Sequence, residues 1–210
     1  MKIRPANTRG HLQAGWIESR RTFSNNSYWN PNYMNWGNLR VINDDVQQPG
    51  NMVPNHDHKN YDILGYMVEG ELEHTDNLGN TTRAVPGQIQ HMWCGSGIWH
   101  TEGCVSTTPA RYLQLWITPK QEHINTPPYY EIIEKSTEYG PILIDLKQDM
   151  QIHAGIITGT NTLDIKNQAY IYVISGTVTG NTFVLTEGDG AELNKNLIAD
   201  FNAHILLFEE

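Results

Sequence analysis

The sequence predicts an all-β fold of antiparallel strands, in the form of a sandwich or jelly roll, and three observations favour it. Short segments rich in Val, Ile, Tyr and Trp recur along the chain. Clusters of Gly, Pro, Asn and Asp separate these segments at short intervals. No apolar pattern with the 3.6-residue period of a helix extends beyond two turns. Many short strands at this spacing are typical of antiparallel sandwiches and jelly rolls.

Six segments form the clearest predicted strands. In chain order they are LRVIND (39–44), DILGYMVEG (62–70), ELEHTD (71–76), RYLQLWI (111–117), AYIYVISG (169–176) and HILLFEE (204–210). Turn sequences such as DDVQQPGN, TDNLGN, VPGQ, EYGP and EGDG lie between them, and their Gly, Pro and Asp residues supply the backbone conformations of tight turns.

The chain is predicted to contain two barrel domains, residues 1–126 and residues 127–210. The best candidate linker is HINTPPYYE (123–131), because consecutive prolines resist both helix and central strand. YMVEGEL (66–72) and YVISGTV (172–178) each suggest an apolar strand that turns at a glycine, which favours a duplicated β unit. About eighty residues are short for a second complete barrel, so we expect the C-terminal domain to be reduced.

Composition and charge exclude several classes of function. The net charge is −9, from 14 Lys and Arg against 23 Asp and Glu, and no basic cluster is present to track a nucleic-acid backbone. The first sixteen residues lack the apolar core of a secretory signal, and no apolar run approaches the 18–20 residues of a membrane span. Two cysteines, Cys94 and Cys104, provide no disulfide framework. We therefore expect a cytoplasmic protein that binds neither membranes nor, directly, nucleic acids.

Two short motifs carry pairs of metal-ligand side chains. NHDH (55–58) holds His56 and His58, and WHTE (99–102) holds His100 and Glu102. In a strand, residues i and i+2 point to the same face, so each pair projects together. Two neighbouring strands with such pairs can enclose one ion. The spacing alone leaves open that these are unrelated polar residues.

The remaining histidines of the N-terminal half, and those of the C-terminal half, are not paired at ligand spacing. We expect them to be ordinary polar or half-buried residues, and His91 lies nine positions before His100. The histidines concerned are His11, His74, His91, His123, His153 and His204.

The proposed donor set of three imidazoles and one carboxylate suits a divalent transition metal. Such a set leaves two positions of an octahedral shell for water, substrate or O₂, as in open iron(II) sites with two histidines and a carboxylate. The residues do not select among iron, manganese, nickel, copper and zinc.

Several stretches resemble the pirin family of bicupins over residues 4–119, with a weaker match at KQDMQIHAG (147–155). The resemblance implies two cupin barrels with metal only in the N-terminal one, held by His56, His58, His100 and Glu102. The matching N-terminal stretches are RGHLQAGW (9–16), RTFS (21–24), LRVINDD (39–45), HDHKNYDILGYMVEGELEHTDNLGN (56–80), PGQIQHM (86–92), GSGIWHTE (95–102) and LQLWITP (113–119).

The resemblance also implies an enzyme, a quercetin 2,3-dioxygenase that opens a flavonol ring with O₂ at a mononuclear centre, Fe(II) being the expected ion. Glu102 would then take the proton of the substrate's enol hydroxyl as general base. One alternative is a non-enzymatic iron-binding redox sensor that acts through a protein partner. Another is a cupin of the isomerase or metal-storage type, which the open coordination positions disfavour.

Several positions depart from the family pattern, among them Arg21, where many members have His, and Cys94 beside Trp93. Asp57 stands where many pirins have Pro, which would pre-shape the loop. Asp62 stands where many have Glu, and we expect it close to the metal ligands. Trp93 stands where smaller residues are usual, and we expect it to narrow the mouth of the pocket.

Overall fold

The structure is a computed structural model that describes residues 1–135 and 137–210. Its described residues form strands joined by turns, and the helices among them are two 3-10 turns, Ala6–Thr8 and Gln121–His123. The all-β prediction is confirmed. A search of the same residues finds no helix with the length and hydropathy required to cross a membrane.

Eighteen strands are present among the described residues. They are β1 (Lys2–Arg4), β2 (Gly10–Gln13), β3 (Ile17–Arg21), β4 (Leu39–Gln47), β5 (Met52–His58), β6 (Asp62–Glu69), β7 (Leu72–Asp76), β8 (Thr81–Ala84), β9 (Gln88–Trp93), β10 (Ile98–Cys104), β11 (Ala110–Ile117), β12 (Tyr129–Glu134), β13 (Gly140–Pro141), β14 (Gln151–Leu163), β15 (Ala169–Gly180), β16 (Phe183–Thr186), β17 (Gly190–Leu193) and β18 (Leu197–Glu209).

The chain folds as two compact units. The N-terminal unit comprises residues 10–135 and 146–148, and the C-terminal unit comprises residues 1–9, 137–145 and 149–210. Residues 127–135 thus lie with the N-terminal unit, and residues 1–9 with the C-terminal unit. The division into domains at residues 126 and 127 stays a prediction.

The N-terminal unit contains two antiparallel sheets. The larger sheet has the strand order β12-β9-β6-β11-β4-β3-β2, and the smaller has the order β5-β10-β7-β8. Leu72 and Cys104 of the smaller sheet belong to one buried cluster with Met67 and Tyr112 of the larger. The two sheets therefore pack face to face, as in a jelly roll.

The described residues of the C-terminal unit form one sheet with its own core. Its strand order is β1-β17-β15-β18-β14-β13, and β16 pairs with β15. β14 and β18 are 13 residues each and pair along their whole length. Ile171, Val173, Phe201 and Ile205 lie in the buried cluster that covers one face of this sheet.

Two sequence-based expectations need correction. The chain turns at Gly70, between β6 and β7, but it continues through Gly176 as one strand, β15, with a shift of register beside it. Both glycines have positive φ, 73° and 83°, so the similar sequences share a backbone conformation without sharing a turn. The predicted linker 123–131 includes the start of β12, which pairs with β9.

Candidate metal centre

The NHDH motif lies in β5, an edge strand of the smaller sheet. Its edge position accommodates Pro54, which has no N–H to donate to a neighbouring strand. His56 and His58 are half-buried, whereas Asp57 between them is exposed. The strand alternation therefore places both imidazoles on the same face, as the sequence predicts.

The WHTE motif lies in β10, the neighbour of β5. His100 is 2% exposed and Glu102 is 7% exposed, whereas Trp99 on the other face is 50% exposed. His100 lies directly opposite His56 in the strand register. A shift of register follows, so that Glu102 lies opposite Val53.

Three of the four predicted ligand residues come together. One ligand atom from each of His56, His58 and His100 lies within 4.8 Å of the others. His56 Nδ1 lies 2.8 Å from the Pro54 carbonyl oxygen, which engages that nitrogen and leaves Nε2 for a ligand. His100 Nε2 is buried and, within the described residues, has no hydrogen-bond partner. This unpartnered nitrogen and the imidazole cluster fit one divalent metal ion.

The environment favours the neutral imidazoles that metal binding requires. Burial, followed by the charge of His56, lowers the pKa of His58 to about 4. Burial, with smaller contributions from neighbouring histidines, lowers the pKa of His100 to about 2. Both rings are therefore neutral at pH 7, and one nitrogen of each ring carries a lone pair that can bind a cation.

Glu102 lies near the histidines but outside their cluster of ligand atoms. Gln114 Nε2 donates to its Oε1 at 3.2 Å. Burial, followed by the charge of Asp45, raises the pKa of Glu102 to about 7, and the hydrogen bond from Gln114 opposes this rise. Its assignment as the fourth ligand stays a prediction.

A cavity of about 280 Å³ adjoins His56, His58 and Glu102. A second cavity, of about 190 Å³, shares four of its lining residues: Asn26, Asn43, Gln114 and Trp116. The first cavity is lined by Leu12, Ile17, Ser19, Arg21, Asn26, Asn43, Asp45, Val53, His56, His58, Glu102, Tyr112, Gln114 and Trp116.

Sequence reasoning missed two residues of β7: His74, which contacts the candidate ligand His100, and Asp76, which contacts His74. His74 Nδ1 lies 3.3 Å from His100 Nδ1, and His74 Nε2 lies 3.0 Å from Asp76 Oδ2. The His74 ring stacks on Tyr130 with centroids 3.9 Å apart, and its burial lowers its pKa. The alternation of His74 and Asp76 within ELEHTD was the available signal, since both point to one face of a strand.

The other expected site residues lie elsewhere. His91, expected to be an ordinary polar residue, is fully buried between Asp62 and Glu131, with ring nitrogens 3.0 and 2.9 Å from their carboxylate oxygens. Asp62 therefore contacts His91 rather than the histidine cluster. Trp93 is buried, donates from Nε1 to Thr126 Oγ1, and is not among the residues that line either described cavity.

Each half of the chain matches the model of a known protein family. The Pirin family model matches residues 2–117, and the model of the quercetinase C-terminal cupin domain matches residues 138–209. The two β units are therefore cupin-type domains, as the resemblance implied.

Individual relatives match nearly the whole chain or a little more than half of it. A protein named quercetin 2,3-dioxygenase from Escherichia coli strain K12 is 34% identical over 99% of this chain and 97% of its own length. A pirin-like protein from Caulobacter vibrioides is 43% identical over 56% of this chain and 50% of its own length. The crystal structure of the bacterial pirin YhhW from Escherichia coli in complex with nickel(II) aligns with a TM-score of 0.91 and 32% identity, over 98% of this chain and 96% of that one. This chain belongs to the pirin family.

Proposed function

We propose that this protein is a metal-dependent dioxygenase that opens the central ring of a flavonol such as quercetin, consuming O₂ and releasing carbon monoxide. The observation that carries the proposal is a cluster of three imidazoles, His56, His58 and His100, beside a cavity that is also lined by the buried carboxyl group of Glu102. The similarity to a protein named quercetin 2,3-dioxygenase supports the substrate class.

In this proposal the three histidines hold one divalent ion and Glu102 completes the donor set. A bound ion would supply Lewis acidity toward the substrate oxygen and a centre for reaction with O₂. Fe(II) is the proposed native ion, and manganese, nickel, copper and zinc are the alternatives to test. The nickel(II) complex of the Escherichia coli relative makes nickel one of the first metals to try.

Glu102 is the proposed general base. Its carboxylate faces the same cavity as His56 and His58, where the enol hydroxyl of a bound flavonol would lie. Gln114 Nε2 holds Oε1 and thereby orients the carboxylate toward the substrate. In this role Glu102 would swing partly free of the ion and hold the proton that leaves the hydroxyl while the ring opens.

The cavity favours an enzyme over the redox-sensor alternative, which needs no space for a substrate. Its volume of about 280 Å³ lies near the lower end of ligand pockets, and the adjoining cavity extends it. Trp116, which contacts His58 with ring centroids 4.9 Å apart, offers an aromatic surface to a flat ring. Arg21 Nε and Trp116 Nε1 are buried donors without a partner among the described residues, and flavonol oxygens would accept from them.

The test is aerobic turnover of quercetin by metal-stripped protein that is reloaded in turn with Fe(II), Mn(II), Ni(II), Cu(II) and Zn(II). Loss of flavonol absorbance, O₂ uptake and carbon monoxide release are measured together. The same assay is applied to His56→Ala and Glu102→Gln, with His123→Ala as a matched histidine control outside the site.

We expect turnover with at least one redox-active metal, its loss in His56→Ala and Glu102→Gln, and its retention in His123→Ala. Tight metal binding at the three histidines without turnover by any metal would contradict the dioxygenase and favour a redox sensor. Retention of turnover in Glu102→Gln would exclude Glu102 as the base.

A further inference from the structure

The carboxylate of Asp76 is held in a fixed orientation by the turn that follows β7. Its Oδ1 accepts from the backbone N–H groups of Leu78 and Asn80, at 2.9 and 3.1 Å. The Asn80 side chain donates to both oxygens, and the Asp76 side chain is fully buried. Since a carboxylate only accepts, the short contact of Oδ2 with His74 requires a proton on His74 Nε2.

This proton determines the roles of the next two nitrogens. In a neutral imidazole with a proton on Nε2, Nδ1 is an acceptor, so the 3.3 Å contact is a donation from His100 Nδ1–H to His74 Nδ1. His100 Nε2 then carries a lone pair. This is the nitrogen that is buried without a hydrogen-bond partner in the described structure.

Donation in the opposite direction, from His74 Nδ1 to His100 Nδ1, is energetically less favourable. If His74 donated from Nδ1, His100 would carry its proton on Nε2, and a buried N–H would lack an acceptor. An unsatisfied buried donor costs about 1–3 kcal/mol, whereas a lone pair there has a cation as its natural partner. The hydrogen bonds are therefore satisfied only if His100 donates to His74 and His74 donates to Asp76.

The pairing of β7 with β10 builds this arrangement. Asp76 lies opposite His100 in the strand register, and His74 lies opposite Glu102. Stacking on Tyr130 fixes the plane of the His74 ring. The contacts thus depend on the fold rather than on flexible surface groups.

We propose that Asp76 and His74 are positioning residues that hold His100 with its proton on Nδ1 and so present Nε2 to the metal ion. The inference rests on the proposed metal site. It predicts a property of the metal-free protein as well as an effect on metal affinity, so it can fail separately from the proposed function.

The first test is a long-range ¹H–¹⁵N NMR spectrum of the metal-free protein at neutral pH, which distinguishes protonated from unprotonated ring nitrogens. We expect His100 with its proton on Nδ1 and His74 with its proton on Nε2. A spectrum with the His100 proton on Nε2 overturns the proposal without any substitution.

The second test compares nickel(II) affinity, by competition with a chelator, and the cobalt(II) absorption spectrum across variants. His74→Phe keeps a stacking ring but removes the acceptor, and His74→Asn restores an acceptor close to the position of Nδ1. Thr75→Val is the control, because Thr75 lies between His74 and Asp76 on β7 but is exposed, and its hydroxyl contacts Thr81.

We expect His74→Phe to weaken nickel binding about 10–100-fold and to alter the cobalt spectrum, with partial recovery in His74→Asn and no change in Thr75→Val. Wild-type affinity and an unchanged spectrum in His74→Phe would overturn the positioning role while the proposed function stands. A wild-type protein that binds no metal would overturn both.

Discussion

At the residue scale, the cavity beside the histidines contains carboxyl groups that are costly to ionise. Burial raises the pKa of Asp45 to about 7, with the charge of Asp44 adding to the rise and Ser19 and Arg21 opposing it. Burial likewise raises the pKa of Glu102 to about 7. Such concentrations of perturbed groups are typical of functional sites and reduce stability at neutral pH.

Because its pKa is raised in the folded protein, Asp45 lowers the free energy of unfolding as the pH increases. Well below the ordinary Asp pKa of about 3.9, the group is protonated in both the folded and unfolded states. As the pH rises toward 7, the unfolded chain ionises while the folded protein retains the proton, so the free energy of unfolding falls. Asp45→Asn does not titrate and avoids this loss. Between pH 5 and pH 8, we expect the free energy of unfolding of Asp45→Asn to rise relative to that of wild type by on the order of 2–3 kcal/mol.

Chemical denaturation of the metal-free proteins at the two pH values measures this change. Asp57→Asn is the control, because it removes the same group from an exposed position on the opposite face of β5, where solvent screens the charge. A difference between Asp45→Asn and wild type that stays constant with pH would contradict the burial argument.

At the element scale, the position of β5 determines whether the histidines meet. Within the described part of the chain, this edge strand pairs with β10 alone, and a Cβ atom added at Gly103 would lie 2.8 Å from the Asn51 carbonyl oxygen and 3.0 Å from Met52 Cβ. Glycine therefore permits the close approach of the two strands.

Gly103→Ala should displace β5 and move His56 away from His100 without removing a ligand. We expect the affinity for nickel(II) to fall roughly tenfold, equivalent to about 1.4 kcal/mol, as measured by chelator competition. Gly140→Ala is the matched control, since a Cβ there would meet no atom within 4 Å. Equal affinity of Gly103→Ala and wild type would show that the strand spacing does not set the site.

The candidate site was predictable where it depends on the alternation of side chains between the two faces of a strand. The spacing of His56 with His58, and of His100 with Glu102, identifies side chains on one face of each strand without knowledge of the fold. The contact of His74 with His100 depends on the register between β7 and β10, which turn geometry and packing determine over long range. Local patterns in the sequence do not predict which residues of β7 and β10 pair with each other.

At the scale of the whole molecule, the class of fold followed from composition, but the assignment of segments to units did not. β1, at the start of the chain, pairs with β17 in the C-terminal sheet. This pairing joins Lys2 to Glu192 across the strands and needs a tertiary arrangement that local patterns do not report. The predicted strands near 62–76 and 111–117 were found because their alternation and turns are local.

Metal binding should stabilise the N-terminal unit in particular, because the three histidines lie within it. At a free nickel(II) concentration of 100 times the Kd, the free energy of unfolding should rise by about 2.7 kcal/mol. Hydrogen exchange should slow in peptides that span β5 and β10, and His56→Ala should abolish the change. Equal protection of both units, or protection that persists in His56→Ala, would contradict binding at this site.

The central claim is that one divalent ion binds at His56, His58 and His100, beside the cavity. Anomalous diffraction from crystals of the protein loaded anaerobically with Fe(II), or with nickel(II), measures this directly. The account predicts one strong peak about 2.0–2.2 Å from a nitrogen of each of the three imidazoles, including His100 Nε2. A peak at another position, or none at full metal loading, would contradict it.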